Sequence, residues 1–483
     1  MSDKVILLTI NDKANLYGVT KPNSAVQPNI YMGLIDSYLT SKGIKTWMVD
    51  ETLNLSIKDM VRLIEKDQPI LFGVICMGAN PSSSTMSMVG AIRFFEELKK
   101  HKISGKSFIQ GGHPSVLPER TLKETGADFV IVGEGYKTIE QLYHTLMNDG
   151  DYSRIKGLAY GNVNTGFPEL IDAKDLPPID WTWFNPNKYK AHNWHCFGDI
   201  NNRSPYGVVW TSLGCPYQCS FCCINNVFGK RAYRMRDMRD VISEIDLLVT
   251  IYGVKNIKII DELFITNHPR IDEFCDGLKE RGYDLNMWCF ARMDTVTPRI
   301  LEKLRGVGMR WIAYGMESTS KKVLGDIGKG CNRDKYDEVI KFTKDADLYI
   351  AADLIGGLWL DDRESLEDSY QWAVGHNFEW LNLYPAFAFP GTPLYEQYIK
   401  EGRMTDPKSW DEYSLYGTTC KPLRSKYLSS EEILRWRDAK FREYHSRPEY
   451  LSMIYKKFGI ETHNHIVDMT KQKLTRNLLH ETV

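Results

Sequence analysis

Short apolar segments alternate with amphipathic segments along most of this chain, and that alternation restricts its fold more than any other feature. In the first 150 residues, five segments are almost entirely apolar, as expected of parallel strands covered on both faces. They read VILLTI, IKTWMVD, LFGVICMGA, SFIQGG and DFVIVGEG. Helical patterns separate them at 29–42, 56–66, 85–100, 119–125 and 138–147. Residues 1–150 are therefore predicted to form an α/β domain with a doubly wound, Rossmann-like sheet, whose ligand binds at the carboxyl ends of the strands.

The alternation stops at residue 151 and resumes near residue 205. Residues 151–204 are rich in proline and aromatic residues, and we predict an ordered connector that opens with a hairpin, GLAYGNVNTGFPELI. Over 205–400, apolar segments again alternate with helical patterns. The six apolar segments are YGVVWTSLG, VKNIKIID, LNMWCFAR, RWIAYGME, LYIAADLIG and WLNLYPAF. The helical patterns lie at 238–252, 270–281, 298–306, 333–345 and 363–375. They predict a partial, TIM-like (β/α)6 barrel with its chemistry at the carboxyl ends of the strands. Residues 401–483 are predicted to be mostly helical.

The overall charge excludes several classes of function. The 483 residues include 61 Lys and Arg and 62 Asp and Glu, for a net charge of −1, so no basic field holds nucleic acid or an anionic membrane. The N-terminal run VILLTI is too short for a signal peptide or a membrane span. We therefore expect a cytoplasmic protein with neither nucleic acid nor membrane as a partner. Thiols stay reduced there, so clustered cysteines are expected to bind metal or to react.

Four of the ten cysteines fall within nine residues, in the segment CPYQCSFCC. Cys215, Cys219 and Cys222 form a CxxxCxxC pattern on the loop after the first barrel strand. Cys223 adjoins Cys222, so its side chain should leave the backbone in another direction. Structural zinc sites usually draw two ligand pairs from separate segments, and no second pair follows nearby. Three thiolates with an open fourth position favour an iron-sulfur cluster that keeps one iron for substrate, with a zinc knuckle or an incidental cluster as the alternatives.

This motif, with Phe221 before its third cysteine and a βα barrel around it, resembles the radical S-adenosylmethionine (SAM) superfamily. The resemblance implies a 4Fe-4S cluster on the three cysteines, with SAM chelating the fourth iron and releasing a deoxyadenosyl radical on reduction. Asp261 and Glu262 stand where relatives have a Gly-Gly-Glu-like turn that hydrogen-bonds the amino group of SAM. The two glycines are missing here, so the resemblance implies only an acidic side chain for that amino group. The SAM-binding residues that the resemblance implies are Glu262, Arg292, Gly315 and Glu317, with LIGG at 354–357 beside the adenine.

A doubly wound domain that precedes a βα barrel resembles the cobalamin-binding subclass of this superfamily, and the resemblance covers residues 4–400. The segments that carry this resemblance are GGHPSVLPE, VGEG and PGTPLY. In relatives, loops at the strand ends of the first domain surround the corrin. The implied cobalamin contacts are Ser82, Ser83, Ser84, Gly111, Gly112, His113, Gly133, Glu134 and Gly135. Small residues also let the backbone approach a large flat ligand closely, whatever the family.

The first βα loop departs from one cobalamin motif. It reads NDKANLYG and lacks the histidine of DxHxxG, so we predict no cobalt ligand from this loop. His113 is the nearest alternative, and a hydrogen bond to backbone or to a corrin amide is favoured over ligation. A structural or vestigial first domain that holds no cobalamin is the other interpretation.

The motifs together predict an enzyme. The leading hypothesis is a cobalamin-dependent radical SAM methyltransferase that acts on an unactivated carbon, or on phosphorus, through a deoxyadenosyl radical and methylcobalamin. A second hypothesis is a radical SAM enzyme that cyclises, rearranges or oxidises its substrate, and a remote third is an iron-sulfur electron carrier or a zinc-binding module. The expected partners are a small-molecule or peptide substrate and an external electron donor of the flavodoxin or ferredoxin type. The motifs assign no catalytic side chain.

Overall fold

The computed structural model describes residues 2–10, 16–51, 55–78 and 80–482. Its first sheet has seven strands in the order β2-β1-β3-β4-β5-β6-β7, of which the first five are parallel. The strands are β1 Ser2–Thr9, β2 Lys45–Asp50, β3 Pro69–Cys76, β4 Lys106–Gly111, β5 Phe129–Ile131, β6 Leu158–Tyr160 and β7 Val163–Asn164. The helices around them are α1 Ile30–Ser41, α2 Ile57–Asp67, α3 Ser83–Leu98, α4 Gly112–Val116, α5 Pro118–Thr125 and α6 Tyr136–Met147. The predicted doubly wound, Rossmann-like sheet is confirmed.

Helices on both faces explain why the strands of this sheet read as continuous apolar runs. In β1, Val5 and Leu7 pack into the core on one face, whereas Ile6 and Leu8 pack into a second core on the other. All four side chains are fully buried. A strand with one wet face would alternate polar and apolar residues instead.

The hairpin predicted at the start of the connector extends the first sheet. Strands β6 and β7 pair antiparallel with each other, and β6 pairs antiparallel with β5 through Val130 and Ala159. A hairpin needs only a tight turn, so it can lengthen the sheet without another crossover helix. The connector then contains one short α-helix, α7 Trp181–Phe184, and several single turns of 3-10 helix.

The second sheet confirms the predicted partial barrel. Its six parallel strands run in the order β15-β14-β13-β12-β11-β8. They are β8 Tyr206–Val209, β11 Asn256–Ile259, β12 Asn286–Ala291, β13 Met309–Glu317, β14 Tyr349–Gly356 and β15 Trp380–Pro385. The helices are α8 Met238–Tyr252, α9 His268–Lys279, α10 Pro298–Gly306, α11 Lys321–Asp326, α12 Arg333–Asp345, α13 Arg363–His376 and α14 Pro393–Lys400.

The C-terminal region is mostly helical, as predicted, and packs on the last barrel strand. It consists of α15 Ser430–Ser446, α16 Pro448–Thr470, β16 Thr475–Arg476 and β17 Glu481–Thr482. Helix α16 bends at Gly459, whose φ of 81° is not helical. Arg437 of α15 donates to the carbonyl of Leu383 in β15 over 2.7 Å, which fixes the helix to the barrel. Within the described part of the chain, none of the helices combines the length and apolar character of a membrane span.

Candidate active site

A cavity of about 600 Å³ lies between the carboxyl ends of the first sheet and the mouth of the barrel. The first sheet contributes the loops after β1 and β3 to its wall. Its lining from that side includes Tyr17, Asn29, Met77, Asn80, Ser82 and Ser83. From the barrel it includes Cys215, Cys219, Cys222, Glu262, Arg292, Gly315, Glu317 and Asp353. The two strand-end regions to which the sequence assigns ligands therefore share one space.

The cysteine loop is held at its base by a short antiparallel ribbon, β9 Ser212–Leu213 and β10 Arg234–Met235. Cys215 is buried, and Cys219 and Cys222 are half-buried. Burial raises the pKa of Cys215 and of Cys222, and the neighbouring thiols raise both further, so the three side chains lie near one another. Arg292 Nη1 lies 3.7 Å from the sulfur of Cys219.

These thiols fit an iron-sulfur cluster by their chemistry. They sit on one loop at one end of one cavity, and iron-sulfur clusters are normally held by cysteine side chains. As the described side chains are placed, no three of the His, Cys, Asp or Glu type form a group ready to hold a metal ion.

Glu262 follows β11 and ties the barrel to the cysteine loop. Its Oε2 accepts hydrogen bonds from Gly214 N over 3.0 Å and from Trp210 Nε1 over 3.4 Å. Burial raises its pKa to about 7. The adjacent Asp261 instead accepts three bonds from Thr211 and Ser212, so it serves the fold of the strand end. Of this acidic pair, only Glu262 lines the cavity.

Arg292 follows β12, and its guanidinium is fixed on several sides. Asp294 accepts from Nε over 2.9 Å and from Nη2 over 2.8 Å. The guanidinium also lies 3.9 Å from the centre of the Tyr217 ring and donates to the carbonyl of Lys329 over 2.9 Å. This bracing holds a positive charge beside the cysteine loop, at the edge of the cavity.

Glu317 ends β13 at a bulge, where the pairing with β14 shifts register after Gly315. Its φ of 66° lies in the left-handed region, which is uncommon for a residue other than glycine and is often found at functional sites. The carboxylate accepts from Lys329 Nζ over 2.9 Å, and both side chains are buried. Gly315 also lines the cavity.

Two of the nine predicted cobalamin contacts, Ser82 and Ser83, line the cavity. Ser84 lies behind them, where its hydroxyl accepts from His113 N over 3.0 Å. The His113 ring packs edge-on against Trp410 with ring centres 4.3 Å apart, and burial lowers its pKa to about 3. That ring is neutral at ordinary pH and stands outside the cavity wall.

The remaining predicted contacts have roles inside the fold. A Cβ at Gly111 would lie 2.3 Å from the carbonyl oxygen of Cys76, whereas Gly112 has no neighbouring atom nearer than 3.7 Å. Gly133 and Gly135 both have positive φ, 94° and 91°. Glu134 is buried and bonds twice to Arg234, over 2.6 and 3.0 Å. Residues 11–15 of the first βα loop lie outside the described residues, so the absence of a histidine ligand there stays a prediction.

On the barrel side of the cavity wall, sequence reasoning missed three charged residues. Lys258 of β11 lies over the rings of Trp288 and Phe290, at 4.8 and 5.3 Å, and burial lowers its pKa to about 7. The others are Asp353 of β14 and Lys329 in the loop after α11. A single charge inside an otherwise apolar strand was the available signal for Lys258 and Asp353. Barrel interiors are apolar, so such a charge faces the site.

Comparison with known proteins places the cysteine loop within a matched domain. Residues 211–373 match the Radical SAM superfamily. An uncharacterized methyltransferase from Pyrococcus horikoshii is 28% identical over 405 residues, which cover 82% of this chain and 83% of the relative. An anaerobic magnesium-protoporphyrin IX monomethyl ester cyclase from Cereibacter sphaeroides is 26% identical over 339 residues, 68% of this chain and 53% of the cyclase.

A solved structure shares the fold over nearly the whole length. It is the radical SAM methyltransferase TsrM from Kitasatospora setae, with cobalamin and a 4Fe-4S cluster bound. It superposes with a TM-score of 0.68 over 93% of this chain and 90% of TsrM, at 15% identity. This chain is thus an enzyme with a radical SAM domain at residues 211–373.

Proposed function

We propose that this enzyme is a cobalamin-dependent radical SAM methyltransferase that methylates an unactivated carbon or phosphorus. One observation carries the proposal: a single cavity joins the three cysteines at the barrel mouth to the serine loop at the carboxyl edge of the first sheet. Two cofactors that face one substrate need such a shared space. The fold shared with TsrM over both parts of the chain adds support.

The side chains have distinct roles in this proposal. Cys215, Cys219 and Cys222 hold the cluster, and Glu262 binds the amino group of SAM. Arg292, braced by Asp294, binds the SAM carboxylate, while Glu317 binds the ribose. When bound, the cluster would reduce SAM to release a deoxyadenosyl radical, and cobalamin would supply the methyl group.

The chain itself orients these groups and limits water. Lys329 holds the Glu317 carboxylate against the cavity wall over 2.9 Å, so the carboxylate is ordered before a ligand arrives. Aromatic side chains contributed by the barrel and the C-terminal region cover much of the remaining wall. They include Trp288, Phe290, Phe387, Phe389 and Tyr413. An apolar wall excludes water and so limits the side reactions of a radical with solvent.

The cofactor loops of residues 1–150 and the barrel of residues 205–400 serve as separate domains in this proposal. The substrate is a small molecule that enters the cavity, and an external donor of the flavodoxin or ferredoxin type delivers electrons. A second candidate function, radical cyclisation without methyl transfer, is favoured by the similarity to the cyclase from Cereibacter sphaeroides.

The test uses the full chain, reconstituted anaerobically with iron and sulfide. With SAM and dithionite, we expect deoxyadenosine to form in the wild type and not in Cys222→Ala. With reduced cobalamin added, we expect S-adenosylhomocysteine as well, because cobalamin would then draw methyl groups from SAM. Deoxyadenosine without cobalamin-dependent S-adenosylhomocysteine would favour the cyclisation alternative, and the absence of both products would overturn the proposal.

A further inference from the structure

Asp353 stands in the middle of the barrel wall of the cavity. In the sheet it is paired in register with Gly315 of β13 on one side and with Asn382 of β15 on the other. Asn382 Nδ2 donates to Asp353 Oδ1 over 2.7 Å, and Trp380 Nε1 donates to Asn382 Oδ1 over 2.8 Å. All three of Asp353, Asn382 and Trp380 line the cavity. Asn382 thus fixes one oxygen of the Asp353 carboxylate, and Trp380 in turn fixes Asn382.

Asp353 has no ion-pair partner among the described residues. Glu317 pairs with Lys329 and Asp438 pairs with Arg476, whereas Asp353 forms no ion pair with any described residue. Its second oxygen, Oδ2, accepts no hydrogen bond from those residues either. A carboxylate removed from bulk water is costly unless a cation or several donors compensate it. The missing partner is therefore expected to come from a ligand in the cavity.

The neighbours of Asp353 give the direction in which that ligand extends. On one side lie Glu317 and Lys329, the end of the cavity assigned above to SAM. On the other side lies Tyr384, which is 37% exposed and borders the cavity. Beyond Tyr384 the wall continues with Tyr416 and Tyr17, whose rings stack 6.0 Å apart at 26°. A fixed negative charge is thus followed by a run of aromatic surface.

We propose that Asp353, positioned by Asn382, binds a protonated amine of the substrate, and that the substrate is an amine with a planar or aromatic body. Aromatic walls favour flat, apolar groups, and rings beside an anion also favour cations. This inference rests on the proposed function, because it places the amine between the SAM end of the cavity and the aromatic wall. Asp353 is then a substrate-binding residue that sets specificity.

Binding of the amine should depend on pH. Burial raises the pKa of Asp353 to about 7, with Glu317 raising it further, while Asn382 and Lys329 lower it. A further titratable group beside it is Tyr384, whose phenol is neutral at ordinary pH. A carboxylate that ionises near neutrality gains its attraction for an ammonium as pH rises through that range. Affinity for an amine should therefore increase between about pH 6 and about pH 8.

The experiment measures binding of three probes to the reconstituted full chain at saturating SAM. The probes are 2-phenylethylamine, the neutral 2-phenylethanol and the anionic 3-phenylpropionate. We expect the amine to bind about tenfold more tightly than the alcohol, and the acid most weakly. Asp353→Asn should remove the preference for the amine, while the matched surface variant Asp345→Asn keeps it.

Several outcomes would overturn the inference. They are equal binding of the three probes, no binding of the amine, a preference that survives in Asp353→Asn, or competition between the amine and SAM. If Asp353→Asn does not fold, the wild-type affinity for the amine between about pH 6 and about pH 8 decides, since a flat profile contradicts the proposal. Failure of the proposed function would give a different result. With no amine present, neither deoxyadenosine nor S-adenosylhomocysteine would form from SAM.

Discussion

The adjacent thiols of Cys222 and Cys223 differ in their surroundings. Burial raises the pKa of both, but Cys215 and Cys219 raise only that of Cys222, which places Cys222 on the side of the other two thiols. We expect Cys222→Ala to lose the reconstituted cluster and Cys223→Ala to keep it, as measured by iron and sulfide content and the visible spectrum. Iron retained in Cys222→Ala and lost in Cys223→Ala would reverse the ligand assignment.

Asp353 also has a predicted effect on stability. Its pKa rises from 3.8 to about 7 on folding, so the folded state binds the proton more tightly than the unfolded state. The free energy of unfolding therefore falls as pH rises from about 4 to about 7, and the penalty is complete above that range. Asp353→Asn should raise the melting temperature more near pH 8 than near pH 5. Asp345→Asn, on the exposed face of α12, is the control, and a shift that does not grow with pH would contradict the argument.

At the scale of elements, the close contact between β3 and β4 explains one glycine of the GGHPS loop. A Cβ at Gly111 would meet the Cys76 carbonyl oxygen at 2.3 Å, so we expect Gly111→Ala to lower the free energy of unfolding by about 1–3 kcal/mol without any cofactor present. Gly112→Ala is the matched control, since its nearest neighbour would be 3.7 Å away. Urea unfolding measures both. If the two variants were equally stable, the contact with Cys76 would not explain the glycine at 111, and only the close approach of a ligand would.

At the scale of the whole molecule, Glu134 and Arg234 join the first sheet to the base of the cysteine loop. Arg234 lies in β10, donates twice to Glu134 and also donates to the carbonyl of Ile171 over 2.7 Å. Removing one partner of a buried pair leaves the other uncompensated, so Glu134→Gln should lower the free energy of unfolding by about 3–5 kcal/mol.

Further variants separate this junction from a cofactor contact. Glu134→Gln with Arg234→Met should cost less than the sum of the single variants, whereas Arg239→Met, which breaks an exposed pair with Asp237, should change little. Thermal unfolding of the cofactor-free protein measures all four. A stable Glu134→Gln variant with impaired cobalamin uptake would instead favour direct contact with cobalamin.

The sequence by itself determined the two βα arrays, the approximate bounds of their strands and helices, and the loop that carries the cysteines. These features are local, because apolar runs and helical periodicity follow from which faces must be buried. Helices α8, α10 and α12 begin and end at the predicted residues. The position of Glu262, Arg292 and Glu317 at the barrel mouth also follows, since parallel strands end at one edge.

Only the tertiary structure decided how individual side chains are used. Gly111 and Glu134 stand in strand-end loops, yet contacts with Cys76 and Arg234, distant in sequence, engage them within the fold. The pairing of β14 with β15 likewise brings Asn382 to Asp353, 29 residues earlier, and leaves that carboxylate facing the cavity without an ion-pair partner among the described residues. Such partners depend on register and packing between distant segments, which periodicity along the chain does not encode.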